Sequence, residues 1–152
     1  SWLDWSQADE EMLAFTRQLI ALRRQTPELR RREFFDGIVN PLTGLPDVTW
    51  LEGQGTLLCH DEWHDPSRTL FGALLSAASP MVFLFNRGDL PQSFVLPGDA
   101  EVMWSIVYDT AQSPAFVEGA PGVAGGGAFP LKSHSMVCLR LTGGDLRPHF
   151  VC

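Results

Sequence analysis

The sequence predicts a mainly β protein, an antiparallel β-sandwich that is preceded by one amphipathic helix. Three observations lead to this fold class. One segment near the start of the chain has apolar residues at helical spacing, and six strand-sized apolar segments follow it. No amphipathic helical pattern separates those later segments, which favours an antiparallel sandwich. With 152 residues, 45% of them hydrophobic, the chain has the length of one domain.

The helix is predicted over Gln7–Arg24. Its apolar residues follow alternating spacings of four and three, as on one helical face: Ala8, Met12, Phe15, Leu19 and Leu22. Ser6 is the predicted N-cap, because a serine hydroxyl can accept a hydrogen bond from a free amide of the first turn. Pro27 disfavours helical geometry at Thr26, so the helix should end there, and a further helical turn is expected from Pro27 to Arg32.

Six strands are predicted where short apolar runs lie between turn residues. They are Val48–Leu51, Leu70–Leu75, Met81–Phe85, Ser93–Leu96, Val102–Tyr108 and Met136–Leu141. Asn86–Asp89 is predicted to be a hairpin turn in which Gly88 has positive φ. The glycine-rich stretch Gly119–Gly127 is predicted to be a flexible loop.

The charge and hydropathy of the chain exclude several classes of partner. The 11 Lys and Arg are outnumbered by 18 Asp and Glu, and the net charge is −7, so a nucleic acid is a poor partner. No apolar run reaches the ~18 residues of a membrane-spanning helix. Ser1–Trp5 lacks the basic start and apolar stretch of a signal peptide, and position 1 is not Met, so we expect a processed chain or an excised fragment.

The cysteines predict a redox compartment. Cys59, Cys138 and Cys152 are an odd number of cysteines at wide spacing. This pattern fits free thiols in a reducing cytoplasm better than a disulfide framework. We therefore expect a cytoplasmic protein with three free thiols.

His60 and His64 are candidates for a metal site, because two histidines at i and i+4 on a helix can share a zinc ion. A zincin motif would place Glu directly after the first histidine, whereas Asp61 stands there. Pro66 also ends any helix soon after the second histidine. The pattern favours a short capped turn with Trp63 anchored in the core, and no metal is predicted.

Two further motifs have both a functional and a structural interpretation. Gly122–Gly127 is not followed by the Lys and Ser or Thr of a phosphate-binding P-loop, so a plain loop is expected. Arg30, Arg31 and Arg32 could bind a phosphate or an acidic partner, but a solvated cluster near a helix end is the commoner outcome. No cofactor is predicted from these motifs.

Tryptophan side chains are candidates for stacking on sugar rings, because an aromatic face suits the apolar face of a pyranose. Most tryptophans in a chain of this size pack in cores and interfaces. The five are Trp2, Trp5, Trp50, Trp63 and Trp104. Trp2 and Trp5 lie outside the predicted sandwich and are therefore the main candidates for glycan contact.

The residues alone predict no catalytic group. No Ser/His/Asp or Cys/His constellation can be assembled from local motifs. Adjacent carboxylates such as Glu10 and Glu11 point apart on a helix, so they cannot flank a scissile bond as the two acids of a glycosidase do. The residues therefore predict an acidic, mainly β domain that is not an enzyme.

A family resemblance rests on landmark segments that occur in a fixed order. They are Ser1–Trp5, Phe15–Arg24 with Pro27 and Leu29–Arg31 after it, Asp47–Leu51, Asp61–Pro66, Tyr108–Ala111 and Ser133–Leu139. In this order they resemble the end of bacterial glycogen debranching enzymes of the isoamylase type, in the α-amylase superfamily of glycoside hydrolases. The resemblance runs from residue 1 to about residue 141. Leu84–Gly88, Gly119–Gly127 and the tail Thr142–Cys152 depart from the family pattern.

The resemblance implies that residues 1–33 are the last helix of a catalytic (β/α)8 barrel and a linker, and that residues 34–152 are an α-amylase-type C-terminal β-sandwich. It also implies a parent enzyme that hydrolyses α-1,6 branch linkages of glycogen and limit dextrin. The carboxylates of such an enzyme lie on earlier barrel strands, roughly 5 Å apart, and all lie upstream of Ser1. The role expected for this chain is structural support of the barrel.

Other functions stay open at the level of sequence. A free-standing carbohydrate-binding module would bind maltooligosaccharides through exposed tryptophans, whereas a structural role predicts that most of them are buried. A regulatory or oligomerisation surface has no supporting motif. In the absence of barrel neighbours, Phe15, Leu19 and Leu22 should fold back on this domain or mediate self-association with another copy.

Overall fold

The structure, a computed structural model, describes residues 2, 4–41, 44–59, 63–76 and 78–146. Within these ranges the chain forms one α-helix and two antiparallel sheets, which confirms the predicted fold class. The helix is α1 (Glu10–Gln25). The strands are β1 (Val48–Glu52), β2 (Leu70–Leu75), β3 (Met81–Asn86), β4 (Gln92–Val95), β5 (Met103–Asp109), β6 (Val123–Ala124), β7 (Ala128–Leu131) and β8 (Ser135–Gly143).

All six predicted strands are present, and their ends differ from the predicted ends by at most two residues. β6 and β7 do not appear among the predicted strands. β6 lies inside Gly119–Gly127, so the prediction of a flexible loop is wrong for that part. β7 contains Pro130, which lowers strand propensity, and its register with β4 places Pro130 opposite Ser93 at a sheet edge.

The helix begins later than predicted, because Asp9 caps it rather than Ser6. The Asp9 carboxylate accepts a hydrogen bond from the Met12 amide at 2.9 Å. Ser6 lies in a separate 3₁₀ turn, Trp5–Gln7, where its amide and hydroxyl donate to the Asp4 carboxylate at 3.0 and 2.6 Å. The helix ends before Thr26, and the predicted helical turn follows as a 3₁₀ turn, Pro27–Arg30, which ends two residues earlier than Arg32.

The two sheets pack face to face around the main core. The larger sheet has the strand order β1-β2-β3-β8-β5-β6, and the smaller sheet pairs β4 with β7. Leu51 and Leu84 of the larger sheet share a buried cluster with Phe94 and Phe129 of the smaller sheet. Strand alternation places these side chains on the inner faces, so the chain forms an uneven sandwich.

The connection from β3 to β4 crosses between the sheets, so the predicted hairpin is wrong. The buried Asn86 side chain holds this crossing. Its amide nitrogen donates to the carbonyls of Leu90 and Lys132, both at 2.9 Å. Its amide oxygen accepts from the Gly88 amide at 3.0 Å and from Gln92 at 3.1 Å. Gly88 also lacks the predicted positive φ.

The outer face of the larger sheet is covered in part by α1. Leu22 packs with Met81, Tyr108 and Cys138 in a second buried cluster, and Phe15 and Leu19 lie against it. The three helix residues named for self-association, Phe15, Leu19 and Leu22, therefore fold back on their own domain.

A β-bulge in β5 makes this packing possible. Ile106 pairs with Leu139 and packs in the sandwich core, whereas Tyr108 pairs with Cys138 and faces the helix. The register shift between Ile106 and Tyr108 moves Tyr108 to the opposite face of the sheet. The Tyr108 ring then lies edge-on to Phe15, with centroids 6.1 Å apart.

The cysteines differ from the prediction of three free thiols. Cys138 is a free, buried thiol, and burial raises its pKa to about 12, so it is a poor nucleophile. Cys59 is disulfide-bonded, which contradicts the prediction. Spacing along the chain does not show which sulfur atoms approach each other in space. Cys152 lies outside the described residues.

Among the described residues, none forms a helix with the length and apolarity that a bilayer crossing requires.

The contact between α1 and the sheet predicts a large difference between two helix positions. Leu22→Ala should lower the free energy of unfolding by about 2–4 kcal/mol, because it leaves a cavity between the helix and the sheet. Ile20→Ala should cost below about 1 kcal/mol, because Ile20 is 47% exposed. Urea unfolding with an unchanged m-value measures both. Equal losses for the two variants would contradict the docking of α1 by its Leu22 face.

Candidate functional site

The tryptophans are more exposed than a purely structural domain predicts. Trp2 is fully exposed, and Trp50 and Trp63 are also exposed. Trp104 is buried, and its indole nitrogen donates to the Pro97 carbonyl at 2.9 Å. Trp5 lies in the 3₁₀ turn Trp5–Gln7, and its side chain is outside the described part. The expectation that most tryptophans are buried is wrong for those whose side chains are described.

Trp50 and Trp63 form an aromatic pair that the sequence analysis does not anticipate. Their ring centroids are 5.1 Å apart, and the ring planes are inclined by 80°, an edge-to-face arrangement. Trp50 is 37% exposed and Trp63 is 48% exposed, so Trp63 is not the core anchor that was expected. The neighbours of Trp50 in β1, Thr49 and Leu51, are buried on the opposite face of the strand.

The loop that carries Trp63 is held in place by two sets of hydrogen bonds. The Asp65 carboxylate accepts from the amide and the hydroxyl of Ser67 at 2.8 and 2.6 Å, and these bonds lower the pKa of Asp65. The Arg87 guanidinium donates to the carbonyls of Pro66 and Arg68 at 2.6 and 2.9 Å. The loop is therefore tied to the connection between β3 and β4.

A polar hollow lies beside the last residue of β1, Glu52, and the first residue of β2, Leu70. Its volume is about 280 Å³. Its polar lining residues include Glu52, Gln54, Asp65, Arg68, Thr69 and Gln92. Arg68 lies 3.8 Å from the Glu52 carboxylate, and Gln92 donates to the Thr69 hydroxyl at 2.7 Å. The hollow thus combines carboxylate, guanidinium and amide groups in one place.

The histidine pair considered for a metal falls partly outside the described residues. His60 is not described, whereas His64 is. Within the described ranges, no three His, Cys, Asp or Glu side chains are grouped so that they could hold a metal ion. The Asp65 carboxylate is engaged by Ser67.

The glycine-rich loop before β7 is a tight structural turn. The Gly125 amide donates to the Val102 carbonyl at 2.8 Å, and the Gly126 amide donates to the Leu96 carbonyl at 2.9 Å. A Cβ at Gly125 would lie 2.6 Å from the Asp99 carbonyl oxygen, so glycine is required there. These two amides face backbone carbonyls and are not available to cradle a phosphate.

Arg31, from the arginine cluster, anchors the linker between α1 and β1. It forms an ion pair with Asp47, and its guanidinium lies 4.6 Å from the centre of the Phe35 ring. The Gly37 amide donates to Asp47 at 3.0 Å. Burial alone would raise the pKa of the Asp47 carboxyl, but the hydrogen bonds from Arg31 and Gly37 outweigh it, and the pKa lies below its ordinary value. Arg31 therefore has a structural role.

A groove of about 530 Å³ lies between α1 and strands β5 and β8. Arg140 lines it and donates to the Thr26 hydroxyl at 3.5 Å. The Arg140 Nε atom is buried without a hydrogen-bond partner among the described residues. Among the described residues that line the groove, Glu118 supplies the one carboxylate.

Comparisons with known proteins find sequence relatives for most of the chain. No protein-family model matches it. The glycogen debranching enzyme of Dickeya chrysanthemi is 40% identical over 119 residues, which are 78% of this chain and 16% of that enzyme. The glycogen debranching enzyme of Cronobacter sakazakii is 40% identical over 100 residues, 64% of this chain and 13% of that enzyme.

A more distant relative covers nearly the whole chain. The glycogen operon protein GlgX homolog of Mycobacterium bovis is 28% identical over 162 aligned positions, 93% of this chain and 22% of that protein. Among solved structures, the trehalulose synthase MutB of Pseudomonas mesoacidophila has a TM-score of 0.47 and 18% identity, over 85% of this chain and 17% of that protein.

The fold defines a β-sandwich domain with a leading helix. Its sequence relatives are more specific. The chain is homologous to part of the bacterial glycogen debranching enzymes, which confirms the resemblance seen in its motifs. It spans only 13–22% of the length of these three relatives.

The lowered pKa of Asp47 predicts a pH-dependent contribution to stability. Because the folded pKa is lower than the unfolded value of about 3.9, the stabilisation is present above that value and is lost as the pH falls through the folded pKa. Asp47→Asn should cost about 1 kcal/mol at pH 7 and less at pH 3. Urea unfolding at both pH values measures this. Asp145→Asn, at an exposed carboxylate, is the control, and a cost of Asp47→Asn that is equal at both pH values would contradict the electrostatic origin.

Proposed function

We propose that the chain is the non-catalytic C-terminal part of a glycogen debranching enzyme, a glycoside hydrolase of the α-amylase superfamily. In this proposal residues 1–33 supply the last helix of the catalytic barrel and a linker, and residues 34–152 form the C-terminal sandwich. The parent hydrolyses α-1,6 linkages in glycogen and limit dextrin with carboxylates that lie elsewhere in its chain. The role of this part is to support the barrel.

The observation that carries the proposal is that α1 is apolar on two sides. Phe15, Leu19 and Leu22 pack on the sheet. Leu13 and Ile20 lie on a different side and are exposed, although both are large aliphatic residues. A helix that is apolar on two sides requires two packing partners to bury both. The sheet of this domain is one partner, and a neighbouring barrel element would be the other.

The linker after α1 supports the same proposal. Phe34 is 95% exposed, and Ile38 and Val39 are also exposed. Apolar side chains clustered on a surface mark a contact with another part of a protein. Arg31 and Asp47 hold the ends of this segment together, so the exposed side chains are presented on a fixed loop.

A cytoplasmic location belongs to this proposal, because glycogen is an intracellular store. The disulfide at Cys59 would then be expected to be reduced in the cell.

A free-standing carbohydrate-binding module is the second candidate. The exposure of Trp50 and Trp63 favours it. Unlike the first candidate, it needs no second packing partner for α1. An open reading frame immediately upstream that encodes a (β/α)8 barrel with paired acids would decide for the first candidate.

The proposal predicts that the chain gives an active enzyme when it is joined to a catalytic barrel, and that the chain has no hydrolytic activity alone. The chain should release no reducing ends from glycogen or β-limit dextrin. Replacing the matching segment of the Dickeya chrysanthemi enzyme by this chain should give a chimera that hydrolyses α-1,6 linkages of β-limit dextrin. Activity of the isolated chain, or an inactive chimera that is folded, would overturn the proposal.

The exposed face of α1 gives a sharper test in the same chimera. Ile20→Glu should lower the melting temperature of the chimera by several degrees, because it buries a charge against the barrel. In the isolated chain the same substitution should change the free energy of unfolding by below about 1 kcal/mol, since Ile20 is exposed there. Ala14→Glu is the control, about 120° around the helix from Ile20. A chimera that tolerates Ile20→Glu as well as the isolated chain does would show that this face has no neighbour.

A further inference from the structure

We propose that Trp50, Trp63 and the adjoining polar hollow form a binding site for a neutral α-glucan segment. The choice of an α-glucan as ligand rests on the proposed function. The site itself rests on a juxtaposition: each tryptophan stands two residues before a carboxylate that lines the hollow, Trp50 before Glu52 and Trp63 before Asp65.

The aromatic part of the site comes from two different segments of the chain. Trp50 belongs to β1, and Trp63 belongs to the loop between β1 and β2. In their edge-to-face contact, neither ring covers the full face of the other, and both remain more than a third exposed. The pair thus offers ring surface on which the apolar face of a pyranose can stack.

The hydrogen-bonding part of the site lies at a short distance from the rings. Residues i and i+2 of a strand point to the same face, about 7 Å apart, so Glu52 lies next to Trp50 on the outer face of β1. Glu52 and Asp65 carry carboxylate acceptors, and Arg68 carries donors. Gln92 contributes its amide oxygen as an acceptor, because its amide nitrogen already donates to Thr69 and Asn86. Sugar hydroxyl groups are both donors and acceptors, so this mixed set can bind them.

The site is organised before any ligand binds. Trp50 lies in the ladder between β1 and β2, where it pairs with Ala73. Trp63 lies on the loop that Arg87 ties to the body of the protein through the carbonyls of Pro66 and Arg68. A site whose side chains are already ordered loses less conformational entropy on binding.

Its composition favours a neutral sugar over a protein or an anion. A protein contact is expected to have a continuous apolar centre, as on the face of α1 that carries Leu13 and Ile20. Here the rings adjoin a hollow with two carboxylates, Glu52 and Asp65, which disfavour an anionic ligand. The hollow, about 280 Å³, is small for a ligand pocket, so it would hold only one or two sugar units and the affinity should be modest.

The test is isothermal titration of the full chain with maltoheptaose, with cellohexaose as the β-linked control. Maltoheptaose should bind and cellohexaose should bind at least tenfold more weakly. Trp63→Ala should weaken maltoheptaose binding at least tenfold, about 1.4 kcal/mol. Trp2→Ala, at a fully exposed tryptophan outside the pair, should change the affinity by less than about twofold.

A second variant distinguishes a loss of binding that is caused by removal of the ring from one that is caused by unfolding. Trp63→Leu keeps an apolar side chain in the loop but removes the ring, so it should fold and still lose the affinity. Unfolding curves of both variants that match the parent within about 0.5 kcal/mol establish that they are folded.

Three outcomes would overturn the inference: no binding of maltoheptaose, binding that survives both Trp63 variants, or binding that is lost in Trp2→Ala. Each of these would leave the proposed structural role intact, because that role is judged by the chimera. Conversely, an inactive chimera together with Trp63-dependent maltoheptaose binding would reject the barrel-supporting role and retain the glucan site.

Discussion

The larger sheet is covered over its inner face and over part of its outer face, and the rest of the structure depends on this constraint. The smaller sheet covers its inner face, where Leu84 and Phe94 meet. Helix α1 covers part of its outer face through Leu22. Burial of apolar area on both sides requires strands that are apolar at nearly every position, and β3, with the sequence Met81–Asn86, has this character. The helix is therefore part of the fold of this domain.

The bulge in β5 makes the packing of α1 on the outer face of the sheet possible. It places Tyr108 on the helix face while Trp104 stays in the core. The docked helix then presents Leu13 and Ile20 away from the sheet. The proposed barrel-supporting role uses this exposed face of α1, whereas the proposed glucan site uses Trp50 of β1 and Trp63 of the loop after it, which are both exposed. The two proposals thus use different parts of the molecule.

The candidate glucan site could be predicted only in part. Successive residues of a strand face opposite sides of the sheet. Because Leu51 is an apolar residue of β1 that packs in the core, its neighbour Trp50 could be predicted to point away from the core. Nothing local shows that Trp63 reaches it. Their contact depends on the path of the loop, which Asp65 and Arg87 hold through hydrogen bonds to backbone atoms distant in sequence. Trp2 and Trp5, the candidates predicted from the sequence, belong to the segment before α1.

The sequence by itself determined the fold class, the six main strands, the end of α1 at Thr26 and the family relationship. These follow from the spacing of apolar residues, from turn residues and from local motifs, all of which act over a few neighbouring residues. Only the tertiary structure decided the crossing of the chain at Asn86 and the pairing of Trp50 with Trp63. Each of these joins or redirects segments through contacts that are distant in sequence, and local propensity carries no information about such contacts.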